Sequence, residues 1–508
     1  MNEQREQKFD LLENNANAVR AVMSAVESTI GPKGLDTMLV DQFSNVVITN
    51  DGVTILNMME VNHPVARMLI HAINSQQEEV GDGTTTAALM AGEMVIYGLE
   101  QVSKGVPVAQ VLTGLRYGVK EACRLMEQEA IQIGSMDTGQ LYNIAYVAGR
   151  EDASIARLIM EGAQLIGQEK LLEPGFRFSQ RVRAVEGAES EVLNGVLVSK
   201  ERLTRQMPLE LQGQIKLLVL DDALEQEELE QGALATESGF QQYLVLKEEF
   251  RANIQKLIEA GVQAVFVDRG VDDTAAELLE EAGVLVVARV PHKELVDLAE
   301  HCGAKLLKRT GLRKPAEELQ KQFGTAAHIL GNEKLSQIKV LGGKGKTMAT
   351  ILVGAATGEV VGEKERIAKD AASSVQSALQ KGLVAGGGAA ELAVARQLEQ
   401  NKNALSGMAV FGADCVIAAL KKPFMQIVTN AGFNPLEKLG DVHRAQELQS
   451  NHHLSINCDT GRIDDLYISG VVDPLYVKLH SLKTAGEVAE AILRINIIVK
   501  KKEYQPTS

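Results

Sequence analysis

The segment Gly81-Asp82-Gly83-Thr84-Thr85-Thr86 sets a carboxylate, two glycines next to it and three hydroxyls directly ahead of an apolar run, 87–99, that reads as a helix. Glycine lets a ligand approach the backbone, and a helix N-terminus presents free N–H groups with a partial positive charge. Phosphate oxygens suit such a place. Asp82 adds the kind of hard oxygen ligand that Mg²⁺ prefers. Ordinary capping explains the same residues equally well, because Asp and Thr are common at helix starts. Three other segments have two readings each. Thr29-Ile30-Gly31-Pro32-Lys33-Gly34 terminates a helix unless it folds beside the first motif. Ile48-Thr49-Asn50-Asp51-Gly52-Val53 is a turn leaving a strand, whose acid, Asp51, can face a metal or water. Gly386-Gly387-Gly388 is either a hinge or a place where a nucleotide base or ribose meets backbone.

Other chemistries are excluded. Gly342-Gly343-Lys344-Gly345-Lys346-Thr347 imitates a phosphate-binding P-loop, but the first glycine of that loop falls on Val340. No GxGxxG element follows a strand, and His452–His453 belong to no HExxH pair. Cys123, Cys302, Cys415 and Cys458 are widely spaced, so neither a disulfide framework nor a zinc ribbon is expected, which suits a reducing cytosol. With 67 acidic against 52 basic residues the net charge is −15, the wrong sign for a nucleic-acid partner. Residues 1–10 are polar and resemble no secretory signal, and no run reaches the roughly 18 apolar residues of a membrane span. Aromatic residues make up 4% of the 508, with no Trp, so the core must be aliphatic.

Three textures position these motifs. Residues 1–135 read as long helices: Leu12, Val19, Met23, Val26 and Ile30 share one face, short strands lie near 37–39 and 46–49, and further helices near 64–79 and 84–103. Between 195 and 350 the apolar runs 215–220, 262–267 and 284–290 alternate with helices near 273–282 and 293–302, which predicts an α/β unit with a mostly parallel sheet. An acidic insertion at 223–260, with Glu225, Glu227, Glu228 and Glu230 followed by Phe240, Tyr243, Leu244, Leu246 and Phe250, is too long for an ordinary connection. It is either a solvated excursion or a functional arm. From 387 onward Ala-rich helices return, ending in a β-like 495–499. The order predicts a discontinuous helical domain with the α/β domain inserted.

Read in order, TIGPKG (29–34), ITNDGVTIL (48–56), GDGTTTA (81–87), AGGG (385–388), GVVDP (470–474) and AEAILRI (489–495) resemble the chaperonins, ATP-driven double-ring folding machines, over essentially the whole chain. The resemblance implies a multi-domain α and α/β fold. Its parts are an equatorial domain (1–135 and 387–508), an intermediate domain (136–194 and 351–386) and an apical α/β domain (195–350). The insertion at about 223–260 sits where group II chaperonins carry a helical protrusion that serves as a built-in lid. The end of the chain, 500–508, lacks the Gly/Met-rich tail common in group I. The protein is therefore similar to group II, with the bacterial branch called group III as the other option.

The resemblance also implies roles. Thr29, Ile30, Gly31 and Pro32 would line the nucleotide, Asp82 would bind Mg²⁺, and Gly83, Thr84, Thr85 and Thr86 would contact phosphates. Gly387, Asn457 and Asp473 would hold ribose and base, while Asp51 and Asp370 would activate the attacking water. Arg150 stands where group II carries a phosphate-sensing Lys, and Asn50, where group I has Lys, bears on a K⁺ site. Phe240, Tyr243 and Phe250 are the candidates for lid or client contact. ATP and Mg²⁺ are the implied cofactors, with K⁺ as an optional third. Unfolded client proteins and further copies of the chain, in stacked rings, are the implied partners. A separate co-chaperonin, nucleic acid and membrane are not expected, and the compartment is cytoplasmic. An ATP-dependent metabolic enzyme and a chaperonin-derived scaffold without folding activity are the competing readings.

Overall fold

The computed structural model describes residues 2–40, 46–134, 136, 139–227 and 236–498, with residues 2–10 described by backbone alone. Glu228, Glu230 and the 500–508 tail lie outside the described residues. Two compact units emerge: Met1–Met160, Leu171–Ser179 and Arg366–Ser508 form one, Glu161–Lys170 and Gln180–Glu365 the other. The chain passes between them four times, at 160/161 within the helix Ala153–Ile166, at 170/171, at 179/180, and at 365/366 within the helix Gly358–Lys381. The stretches 136–194 and 351–386 are thus divided between the two units.

The first unit is helical. Thr84–Ser103 is apolar on nearly every side and buries Leu89, Met90, Ala91, Met94 and Val95, as a central helix must. Val108–Gln128 is amphipathic and turns Val111, Leu115, Ala122 and Met126 inward. Val410–Asn430, Leu475–Leu493 and Asn2–Val26 pack around them, and the shared core is aliphatic and Met-rich, as the composition requires. Small residues let these helices touch. A Cβ on Gly114 would stand 1.7 Å from the Ala409 carbonyl oxygen, and one on Gly412 2.0 Å from that of Val111. Thr37–Val40 and Val46–Thr49 pair antiparallel, Thr37 opposite Thr49, and deliver the chain to Asp51. The β-like 495–499 forms no strand over the described 495–498.

The second unit is built on a nine-stranded sheet. The three apolar runs appear as Glu210–Leu220, Ala264–Val267 and Leu285–Val287, parallel neighbours with Val219 opposite Phe266 and Phe266 opposite Val287. Every residue of the last two strands is buried, since helices cover both faces. The expected mostly parallel sheet is corrected here. Glu191–Val198, Gly324–Asn332, Gln337–Leu341 and Ala349–Ala355 form an antiparallel half, joined to Glu210–Leu220 through Gly324–Asn332. Gly324–Asn332 mixes buried, half-buried and exposed positions, so it lacks the continuous apolar run by which parallel strands are recognised. The described part of the insertion is one helix, Glu237–Glu259, capped by the Thr236 side chain, which accepts from the Gly239 N–H.

The P-loop imitation has a different use. The N–H groups of Gly343 and Gly345 donate to the His301 ring and carbonyl, and that of Lys346 to the Glu300 carbonyl. These donors therefore satisfy the C-terminal end of the helix His292–Cys302 and are not free for phosphate.

Candidate functional site

Within the helical unit, a cleft of about 260 Å³ collects residues from six separate stretches of chain. Its lining includes Thr29, Ile30, Gly31, Asp51, Asp82, Gly83, Thr84, Thr85, Thr86, Arg150, Asp370 and Asp473. The 81–86 loop forms one wall. Gly83, with φ +77, is the N-cap of Thr84–Ser103, and no side chain caps that helix. A Cβ on Gly83 would come within 2.5 Å of Val477, so glycine is required. The loop is pinned from behind: Gln76 donates to the Asp82 carbonyl at 2.8 Å and Ser481 to that of Gly83 at 3.2 Å. The capping reading of Asp82 fails, because its oxygens accept instead from the Gly83 N–H and from the Ser374 hydroxyl at 2.7 Å. The uncapped first turn, with Thr84, Thr85 and Thr86, lines the cleft.

Opposite stand two more acids. Asp51 caps the helix Gly52–Met58 with Oδ2, which accepts from the Thr54 amide and hydroxyl, and turns Oδ1 to within 3.7 Å of Arg366. Asp370 pairs with Arg366 at 2.6 Å. Arg366, Asp370 and Ser374 follow one another at four-residue spacing on Gly358–Lys381, hence on one face. Burial pushes the Asp370 carboxyl well above the usual range; Arg366 opposes this, and Asp82 and Asp51 reinforce it. Burial likewise raises Asp82, against the Ser374 and Gly83 hydrogen bonds. Asp51 and Asp370 share Arg366, whereas among the described residues no ion pair reaches Asp82, on which Lys478 acts only as a minor influence. Such a carboxylate is suited to a divalent cation, the missing positive charge. Asn50 adds a buried Oδ1 without a hydrogen-bond partner, another acceptor for a cation or its water. Arg150 and Glu151 are consecutive non-glycine residues at φ +55 and +60, a strained turn beside the site.

Three expected contacts do not line the cleft. Pro32 is exposed beyond Gly31. Asn457 accepts from the amides of Asp459 and Thr460 and so fixes its own turn. Gly387 takes φ +58 and gives its carbonyl to Ser455. In the second unit, Phe250 is corrected from a client contact to a core residue, 7% exposed among Ile254 and Leu257. Tyr243 is half-buried, while Phe240, Leu244 and Val245 are exposed. Arg366, Ser374 and Lys478 were missed; an Arg four residues before an acid was the available signal for the first. A cluster elsewhere, Asp221, Asp268 and His292, has ligand atoms within 4.8 Å of each other, but Asp221 is already engaged by Lys308 at 2.8 Å and His292 at 3.0 Å.

Four acids, three hydroxyls and a bare helix N-terminus in one cleft are equipped for phosphoryl transfer, which needs positioning and charge neutralisation. A family model described as the TCP-1/cpn60 chaperonin family matches residues 22–503. Over 507 residues the chain is 34% identical to the thermosome beta subunit of Archaeoglobus fulgidus, spanning 96% of this chain and 91% of that one. A thermosome subunit of Methanopyrus kandleri is 31% identical over 507 residues, with 96% and 92% spanned. A crystal structure of a group III chaperonin in the open state is similar at a TM-score of 0.89 and 44% identity, covering 97% of this chain and 100% of that one. The chain belongs to the TCP-1/cpn60 chaperonin family.

Proposed function

We propose that this protein is an ATP-dependent chaperonin that hydrolyses MgATP in the cleft described above and uses the cycle to close a built-in lid over unfolded client proteins. The observation that carries the reading is the convergence of Asp51, Asp82 and Asp370 on the uncapped start of Thr84–Ser103. The amides and hydroxyls of 83–86 bind phosphate oxygens, and Thr29, Ile30 and Gly31 border the nucleotide. Asp82 holds Mg²⁺, which supplies charge neutralisation at the phosphates. Asp370, with Asp51, orients the attacking water and receives its proton. Arg150 responds to the departing phosphate, and Asp473 accepts from the nucleotide's sugar. Asn50 is the candidate for K⁺.

The stretches 136–194 and 351–386 act as the hinge between the equatorial and apical parts. Copies of the chain assemble into stacked rings, no separate lid protein is required, and the work is done in the cytoplasm. No helix among the described residues is long and apolar enough to cross a membrane. A scaffold that had lost hydrolysis has no need to keep both Asp51 and Asp370 in the cleft. The test is MgATP turnover by purified protein: Asp370→Ala is expected to lower it by about 100-fold or more. Unchanged turnover would remove Asp370 from the mechanism, and no turnover in the parent protein would favour the scaffold.

A further inference from the structure

Behind the cleft the chain buries a charge cluster that phosphate chemistry does not use. Lys478, in the helix Leu475–Leu493, places Nζ 2.6 Å from Glu391 and 2.7 Å from Asp473 Oδ2. The side chains of Lys478 and Glu391 are only 11% and 1% exposed. Burial works against the ammonium, but Asp473 and Glu391 outweigh it and hold the lysine charged, well above its ordinary range. Glu391 lies in the first turn of Ala389–Asn401, where the helix favours a carboxylate. Asp473 sits in the short strand Val472–Pro474, opposite Val384, and lines the cleft.

Buried ion pairs seldom add net stability, because desolvation consumes the Coulombic gain. An ammonium enclosed at the edge of a ligand cleft is better explained by what it orients. Asp473 is fixed through its backbone by the ladder and through Oδ2 by Lys478. Lys478 thus fixes the carboxylate of a residue that lines the cleft. Glu391 gives the same ammonium a second, buried counter-ion and so restrains it.

We infer that Lys478 is a positioning residue for nucleotide binding, with Glu391 as its buried counter-ion: it presets the Asp473 carboxylate and so governs nucleotide affinity more than the chemical step. The inference rests on the assignment of the cleft to the nucleotide.

The test is calorimetric titration of the full-length protein with MgADP, alongside MgATP kinetics. Lys478→Met alone strands two carboxylates and endangers folding, so the informative variant is Glu391→Gln/Lys478→Met, which removes one cation and one anion and leaves the net charge of the cluster unchanged. Its affinity is expected to fall about tenfold, with KM for MgATP rising more than kcat falls. In an Asp473→Ala background the same pair of substitutions is expected to change affinity by less than about twofold, because the group they position is gone. Lys478→Arg is expected to recover part of the affinity. A folded double variant with parental affinity, or full additivity with Asp473→Ala, overturns the positioning role. If Asp82→Asn leaves MgATP turnover at the parental level, the nucleotide assignment of the cleft falls first, and this inference with it.

Discussion

Asp82 carries conflicting demands. Burial raises its carboxyl above the usual range, while Ser374 and Gly83 donate hydrogen bonds that favour the charged form. A folded-state pKa above the unfolded one means the folded chain binds the proton more tightly. That stabilising share is full below the unfolded value and is lost as pH rises through the folded value. At neutral pH the raised carboxyl of the nucleotide-free protein therefore costs stability. Asp82→Asn keeps an acceptor for the Gly83 N–H, replaces the other oxygen by an NH2 that can only donate to the Ser374 hydroxyl oxygen, and discards the charge. It is expected to raise Tm by roughly 2–4 °C at pH 7.5, with the gain vanishing near pH 4, while MgATP turnover collapses. Scanning calorimetry across that pH range checks it, and a Tm lowered at pH 7.5 contradicts the argument. Of the residues that motifs marked, Asp51, Asp82 and Thr84–Thr86 stand in turn-and-helix contexts that suit capping as well as ligand binding, and it is the fold that brings them into one cleft. Asp370 was readable only by resemblance, because an acid inside a charged helix has no local mark. Ser374 and Lys478 had none either, since their roles come from what lies across the fold.

At the scale of elements, periodicity located the helices Pro64–Glu79 and Thr84–Ser103 and the strands Ala264–Val267 and Leu285–Val287. It failed for the antiparallel half of the sheet, where strands such as Gly324–Asn332 mix Gly, Ala, Thr and His and alternate little between apolar and polar residues. The helix contacts were equally hidden, because a glycine in a helical pattern looks like a defect until its neighbour is known. Gly114 and Gly440 make the point testable. Both lie in helices, yet a Cβ at Gly114 would meet the Ala409 carbonyl oxygen at 1.7 Å, while one at Gly440 meets nothing within 4 Å. Gly440→Ala is expected to stabilise the helical unit by up to about 1 kcal/mol through helix propensity. Gly114→Ala is expected to destabilise it by about 1–3 kcal/mol, since backbone must move. Chemical denaturation of the two variants side by side measures the contrast, and equal shifts of one sign would refute the close crossing of Val108–Gln128 and Val410–Asn430.

For the whole molecule, the question is how one chain both senses nucleotide and covers a client. A chamber wall that releases its contents should be weakly adhesive, and a chain of net charge −15 with no Trp supplies little to adhere with. Against that background the helix Glu237–Glu259 divides into two parts. Phe250, Ile254 and Leu257 anchor its second half in the α/β core, whereas Phe240, Leu244 and Val245 leave an apolar face exposed in the first. This division sets where a lid deletion must stop. Removing 230–255 would take Phe250 and Ile254 out of the core and confuse loss of the lid with loss of the fold. Removing 230–246 spares both, and a short Gly/Ser bridge can rejoin the ends. The trimmed protein is expected to keep its MgATP turnover, because every residue assigned to the cleft lies in the helical unit. It is expected to lose the ATP-dependent protection of a trapped client from protease. Protection that survives the trimming would transfer the lid function to another segment, while loss of turnover would show that this arm takes part in the nucleotide cycle as well as in closing the chamber.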